Sequence, residues 1–338
     1  MITEPSATGQ KARGPGDDFI ADLPDLAVLR VGGKDAADFL AGQLTSDVRA
    51  LLPGQSQLAA WCTPKGRVIV VCRVLCLVDQ HLLVLPDDLA EDTLTRLKRY
   101  VLRSRVELSD ERARWVTTGC AGPGVGAVLR ERLGALPERP GGLIEVAGFV
   151  VVAHYFESVA GCGPRYLVLG AAESVGALRQ AAVPALGSAP AWGVLEILSG
   201  VPVIHRATSE IYLPQMLNLD ALGGLSFQKG CYPGQEVIAR LKYRGETKRR
   251  MFLAGVQLDD AKLDDTTGDG VPTAGQPLFQ RLRDGPHKAG EVLAAGRHRD
   301  GVALLAVIDI AASDASLHLG DPGGPVLSLM PLPYAVPR

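Results

Sequence analysis

The stretch Gln228-Lys229-Gly230-Cys231-Tyr232-Pro233-Gly234-Gln235-Glu236 constrains this chain more than any other. Gly230 and the Pro233-Gly234 pair are turn formers, so the backbone must bend tightly and carry Cys231 on a loop. Gln235 and Glu236 then open a short helix, with a carboxylate in the first turn where the helix dipole favours it. The amphipathic run Val237-Ile238-Ala239-Arg240-Leu241 continues that helix. A thiol beside a helix N-terminus, two residues from Lys229, meets the conditions that lower a cysteine pKa. A small apolar loop filler is the commoner fate of a cysteine, but the flanking glycines and the lysine favour function here. Cys231 and Lys229 are the candidate catalytic pair.

The rest of the composition bounds the setting. A chain of 338 residues exceeds one typical core, so two or three domains are expected. With 47% hydrophobic and 21% charged residues it reads as a soluble globular protein. A formal net charge of −2 supplies no global field to gather nucleic acid, so any such contact needs a local patch. Cysteines 62, 72, 76, 120, 162 and 231 contain no C-x-x-C pair, which argues against a zinc ribbon or a disulfide scaffold and for a reducing compartment. The longest apolar run, Val68 to Val78, holds Arg73 and is too short for a membrane span. Residues 1–18 read as a disordered arm and not as a signal peptide, and the cytoplasm is the expected location.

Taken in order, Leu26–Val31 is a strand, Lys34–Leu44 a helix, and Gln57–Trp61 with Arg67–Val78 a hairpin. A strand at His81–Leu85, a helix capped by Pro86-Asp87-Asp88 and a strand at Arg105–Leu108 follow. Strand–helix–strand–strand–helix–strand is a split βαβ unit, hence an α+β layer fold. A second set of strands and helices runs from near Arg114, and the apolar helix Trp192–Ser199 leads into the cysteine segment. After Arg250 the strands are short and turn-rich, which suggests a small β-barrel. The sequence shows no internal repeat. The expected division is 1–18, 19–112, 113–245 (holding the cysteine segment) and 246–338.

Lys229-Gly230-Cys231-Tyr232-Pro233-Gly234-Gln235-Glu236 resembles the K-G-C-[FY]-x-G-Q-E signature of YgfZ-type folate-binding proteins. These are relatives of the aminomethyltransferase (T-protein) of the glycine cleavage system. Phe39–Val48, Ser199–Ile204, Leu222–Phe227 and Pro331–Tyr334 are similar to the family as well, so the likeness runs from about Leu26 to Tyr334. The resemblance implies two interleaved ferredoxin-like α+β modules around a central folate cleft, plus the C-terminal barrel. It implies tetrahydrofolate or another reduced folate as ligand, and a role in maintaining iron–sulfur enzymes, including those that modify tRNA. Cluster-assembly proteins and tRNA itself are the further partners it suggests.

The folate-binding candidates are Trp192, which matches a pocket tryptophan of the family, with Tyr232, Gln235, Glu236, Lys242 and Arg244 around the cysteine loop. Trp61 and Tyr100 are further aromatic slabs by composition. Lys242 and Arg244 belong to a basic run (Arg240, Lys242, Arg244, Lys248, Arg249, Arg250) that reads as a solvated linker or as a rim for a folate tail, a phosphate backbone or an acidic partner. The sequence departs from the family at Leu26, where a second pocket tryptophan can stand, and at Leu198, where many relatives carry a glutamate that contacts the pterin. Ile69 and Val70 replace the transferase's aspartate, so aminomethyl transfer is not expected. A folate-dependent one-carbon transferase and a tRNA-binding module are the alternatives. Gly122-Pro123-Gly124-Val125-Gly126-Ala127 fits a dinucleotide-binding turn, but no parallel βαβ series continues from it. Cys72 and Cys76 read as core thiols, His205 as a loop histidine within reach of the pocket, and no metal site is expected.

Overall fold

A computed structural model describes residues 18–154, 163–182, 187–257, 270–298 and 301–337. The expected arm lies outside these residues except for Asp18. Strand β1 (Phe19–Asp22) comes first, followed by β2 (Leu26–Gly32), α1 (Ala36–Gln43), β3 (Gln55–Cys62), β4 (Val68–Cys76), β5 (Gln80–Pro86), α2 (Asp87–Lys98) and β6 (Glu107–Asp110). All but β1 build one sheet, ordered β3-β4-β5-β2-β6, in which every neighbouring pair is antiparallel. That is the split βαβ arrangement with β3 added at one edge. Every residue of β4 is buried, which explains why it reads as an unbroken apolar run and not as an alternation.

The second unit comprises β7 (Val116–Ala121), α3 (Pro123–Leu133), β8 (Leu143–Val146), β9 (Phe149–Ala153), β10 (Arg165–Gly170) and α4 (Ala172–Ala181). Its sheet order is β1-β7-β10-β9-β8, the same plan as the first with β1 in the place of β6. The repeat that side chains conceal is therefore present in the topology. It also moves a boundary, because β1 pairs residue by residue with β7 and belongs with the second sheet, not with 19–112.

Alternation along β2 shows how the layers stack. Ala27, Leu29 and Val31 face a core shared with α1 and α2, whereas Val28 faces Phe19, Val150, Val152 and Leu167 of the second sheet. The two sheets thus pack face to face, and α3 and α4 cover the outer face of the second.

Helix α5 (Ala189–Leu198) starts at Ser188, whose Oγ accepts the Ala191 N–H at 3.4 Å. The chain beyond it returns to the first unit: Val201, Ile204, Tyr212, Leu219, Tyr232 and Ile238 are buried in the core of α1 and β3–β4. The cysteine segment is thus placed with the first sheet, although the sequence groups it with 113–245; apolar pairing decides, not sequence distance. After α6 (Gln235–Arg244), strands β11 (Arg249–Val256), β12 (Pro277–Leu282), β13 (Gly285–His298), β14 (Gly301–Asp309), β15 (Leu317–Leu319) and β16 (Leu327–Met330) form a six-stranded antiparallel sheet. It curls until a bridge between His318 and Val326 brings its two edges together, as the expected barrel requires. Among the described residues, no helix is long and apolar enough to cross a membrane.

Candidate functional site

Trp192 and Glu196 stand four residues apart on one face of α5. The Trp192 ring lies directly against β7, since a Cβ on Gly119 would come within 2.4 Å of it. Only glycine allows so close an approach. Trp192 and Glu196, with Leu26, Val201 and Val203, line cavities on both sides of α5. The inner one reaches between the sheets to Val71, Arg73, His154 and Leu167. The outer one, about 290 Å³, opens past Asp25 and His205 toward Ala294 and Gly296 of the barrel. His205 thus reaches the pocket region, where its Nδ1 lies 3.4 Å from Asp88 Oδ1.

Between the sheets sits a buried charge cluster. Arg165 Nη2 lies 2.8 Å from His154 Nδ1 and also donates to Ser199 Oγ. A guanidinium cannot accept, so Nδ1 is the acceptor and the imidazole proton sits on Nε2, 2.6 Å from Glu196 Oε1. Arg165 Nη1 approaches the same oxygen at 3.5 Å. Burial, reinforced by Arg165, pushes His154 down to about 4, so it is neutral at physiological pH. Burial would raise Glu196, but His154, Arg165 and Arg73 together outweigh it and hold the carboxyl at about 2. The result is a carboxylate ionised at neutral pH and held by His154 and Arg165. Sequence reading passed over Glu196, whose signal was its spacing from Trp192; the other three come from two different sheets and gave none.

The cysteine loop is built separately. Gly234 adopts φ +81°, and a Cβ there would meet Gly66 Cα at 2.5 Å, so the loop is docked on the turn between β3 and β4. Cys231 is exposed. Lys229, expected to activate it, points elsewhere. Its Nζ donates to Ala41 O at 2.5 Å and to Leu44 O, the open carbonyls at the end of α1, and sits 4.4 Å from the Tyr232 ring centre. Burial, with Arg49 and against Asp47, pulls this ammonium down to about 8. Tyr232 is itself buried, and its hydroxyl has no hydrogen-bond partner among the described residues. Glu236 occupies the first turn of α6, as expected.

The residues proposed from sequence for one cofactor site therefore separate. Trp192 lines the cleft; Tyr232, Gln235, Glu236, Lys242 and Arg244 do not. Lys242 lies over the Phe227 ring and borders a different groove, between α6 and the barrel. The basic run divides as well: Arg249 pairs with Asp309 at 2.6 Å, and Arg250 is buried against Asp220 at 2.6 Å. Arg240, Lys242, Arg244 and Lys248 stay exposed. Trp61 is a core residue with Tyr100 edge-on at 6.2 Å. At the glycine-rich turn, Asp18 Oδ1 accepts the N–H groups of Gly124 (2.7 Å) and Val125 (3.3 Å), so the chain's own carboxylate fills the place a phosphate would take. Cys62, Cys72, Cys76 and Cys120 are buried free thiols, and burial pushes Cys72 up to about 12. No cluster of metal-binding side chains occurs among the described residues. Cys162 lies outside them.

The family model for the GCVT N-terminal domain matches residues 19–136. Over 322 residues the chain is 35% identical to the tRNA-modifying protein YgfZ of Edwardsiella ictaluri, spanning 93% of this chain and 91% of that protein. The chain belongs to the YgfZ family. The YgfZ of Klebsiella pneumoniae is 33% identical over 319 residues, with 93% and 92% covered, and that of Colwellia psychrerythraea 27% over 321, with 94% of each. Among solved structures, the glycine cleavage system aminomethyltransferase T of Bartonella henselae aligns with TM-score 0.72 at 16% identity, over 95% of this chain and 87% of that one. The fold inferred for a YgfZ-type chain from its signature is thus the observed one.

Proposed function

We propose that the chain is a tetrahydrofolate-binding factor that supports assembly or repair of iron–sulfur clusters, in tRNA-modifying enzymes among others, through Cys231. One observation carries the folate half: the cleft joins an indole wall at Trp192 to a fixed, ionised Glu196. A reduced folate offers a flat ring with N–H donors on its rim, and the lining fits both features. The aminomethyltransferase fold, whose chemistry uses tetrahydrofolate, supports the same ligand, and the relatives' name supports clients in tRNA modification. Ile69 and Val70 are buried in β4 and bring no carboxylate to a folate nitrogen, so the reading includes no aminomethyl transfer. Free thiols suit a cytoplasmic setting. A tRNA-binding module is less well supported, because two of the six cations in the basic run are spent on internal ion pairs.

Calorimetry with tetrahydrofolate tests the ligand. Trp192→Ala should weaken binding by about 1–3 kcal/mol, as for loss of a buried aromatic anchor. No binding to the unaltered protein at millimolar folate ends the reading. Cys231→Ser should fold and bind folate yet fail to restore an iron–sulfur-dependent tRNA modification in a deletion strain. Full restoration would remove the thiol from the function.

A further inference from the structure

We infer that Glu196 is the residue that reads the ring of the bound folate, its carboxylate accepting the paired N–H groups of the pterin's amidine edge. The inference rests on the folate reading above and assigns a specificity-determining role inside that site.

Three observations lead to it. Glu196 is a wall of both cavities and lies on the same helical face as Trp192, so a ring beside the indole brings its rim to the carboxylate. Its mount is rigid: the His154 and Arg165 contacts both fall on Oε1, and Arg165 is anchored in turn by Ser199. A carboxylate has about four lone-pair sites, and its side chain keeps 15% of its surface open. Two parallel N–H donors would complete that set bidentately, the geometry in which charged hydrogen bonds are most selective.

The same position accounts for Leu198. Two residues along a helix is a turn of about 200°, so Leu198 and Glu196 face opposite ways. Leu198 is buried in the core of the first sheet, while Glu196 enters the cleft from the side of the second. The acidic contact missing at Leu198 is thereby restored from the other face of α5, and the ligand ring is approached from the His154–Arg165 side.

The test pairs a variant with a ligand analogue. Affinities of the unaltered protein and of Glu196→Gln are measured for tetrahydrofolate and for its analogue with methyl in place of the 2-amino group. The unaltered protein should bind the analogue about 10-fold or more weakly, since a carboxylate site discriminates against a missing donor. Glu196→Gln should lose about 10-fold or more for tetrahydrofolate yet bind the two ligands within about 3-fold of one another. Equal losses of both ligands in the variant would reduce Glu196 to a scaffold role and overturn the inference. If the variant does not fold, the analogue alone decides: equal affinity of the unaltered protein for both ligands overturns it. Weakening by Trp192→Ala with no effect of the analogue leaves folate binding standing and removes Glu196. Absence of tetrahydrofolate binding to the unaltered protein removes both.

Discussion

Acidification from pH 7 to pH 5 should cost the fold about 2 kcal/mol through His154 alone. The imidazole is 3% exposed, with Arg165 against Nδ1 and its single proton on Nε2, the nitrogen 2.6 Å from Glu196 Oε1. Burial and Arg165 hold it at about 4 in the folded protein, against 6.5 for the ordinary group. As pH falls, the unfolded chain takes up this proton first, so stability is intact above about 6.5, declines down to about 4 and is constant below. The whole window is worth about 3 kcal/mol, of which about two-thirds is lost by pH 5. Glu196 does not blur the measurement, because its own loss falls between 4.5 and about 2. Urea unfolding at the two pH values, on the unaltered protein and on the double variant His154→Gln/Glu196→Gln, isolates the effect: a Glu196 carboxyl that has lost His154 cannot titrate there, and the other histidines titrate in both and cancel. The unaltered protein should lose about 2 kcal/mol more than the variant. Identical losses would mean that His154 carries its proton in the folded state and that the buried cluster is arranged differently.

Limiting iodoacetamide at neutral pH should label Cys231 before Cys62, Cys72, Cys76 or Cys120, as read by peptide mass spectrometry, because only the first is exposed among these five. Lys229→Met should free the loop from the end of α1, lowering stability by about 1–3 kcal/mol while leaving Cys231 reactive; a large fall in labelling rate would restore Lys229 as activator of the thiol. Asp18→Ala should cost about 1 kcal/mol in thermal or urea unfolding by uncapping α3, and no change would mean that Gly124 and Val125 are satisfied otherwise. Gly119→Ala should displace the Trp192 indole, shift its fluorescence and destabilise by about 1–3 kcal/mol, whereas an unshifted spectrum would contradict the close contact.

The strands of both sheets were legible where burial is two-sided, as in β4, or where turns punctuate them, as in the barrel. Four-residue β1 was not, since Phe19-Ile20-Ala21-Asp22 is too short to show a period and its partner lies far along the chain. The duplication was invisible because what recurs is the order of elements, while each side chain answers to its own neighbours. Lys229 shows another boundary of sequence reading. Spacing places a cation near the thiol, but a four-carbon stem can run either way, and here the open carbonyls of α1 hold it. At the cleft, Trp192 was legible and Glu196 was not, because a buried carboxylate declares itself only once His154 and Arg165 are seen around it.

The crossing of β1 into the second sheet bears on how the protein is made. The ribosome delivers this strand on the order of a hundred residues before β7 exists, so it must wait, unpaired, while the first unit is synthesised. A fragment beginning at residue 113 would never receive it. Its β7 would present a bare row of N–H and C=O groups, a template for pairing with other chains. The two units are topological copies, yet the later one is not a detachable part: β1, the first strand among the described residues, ties it to the segment that precedes the earlier unit.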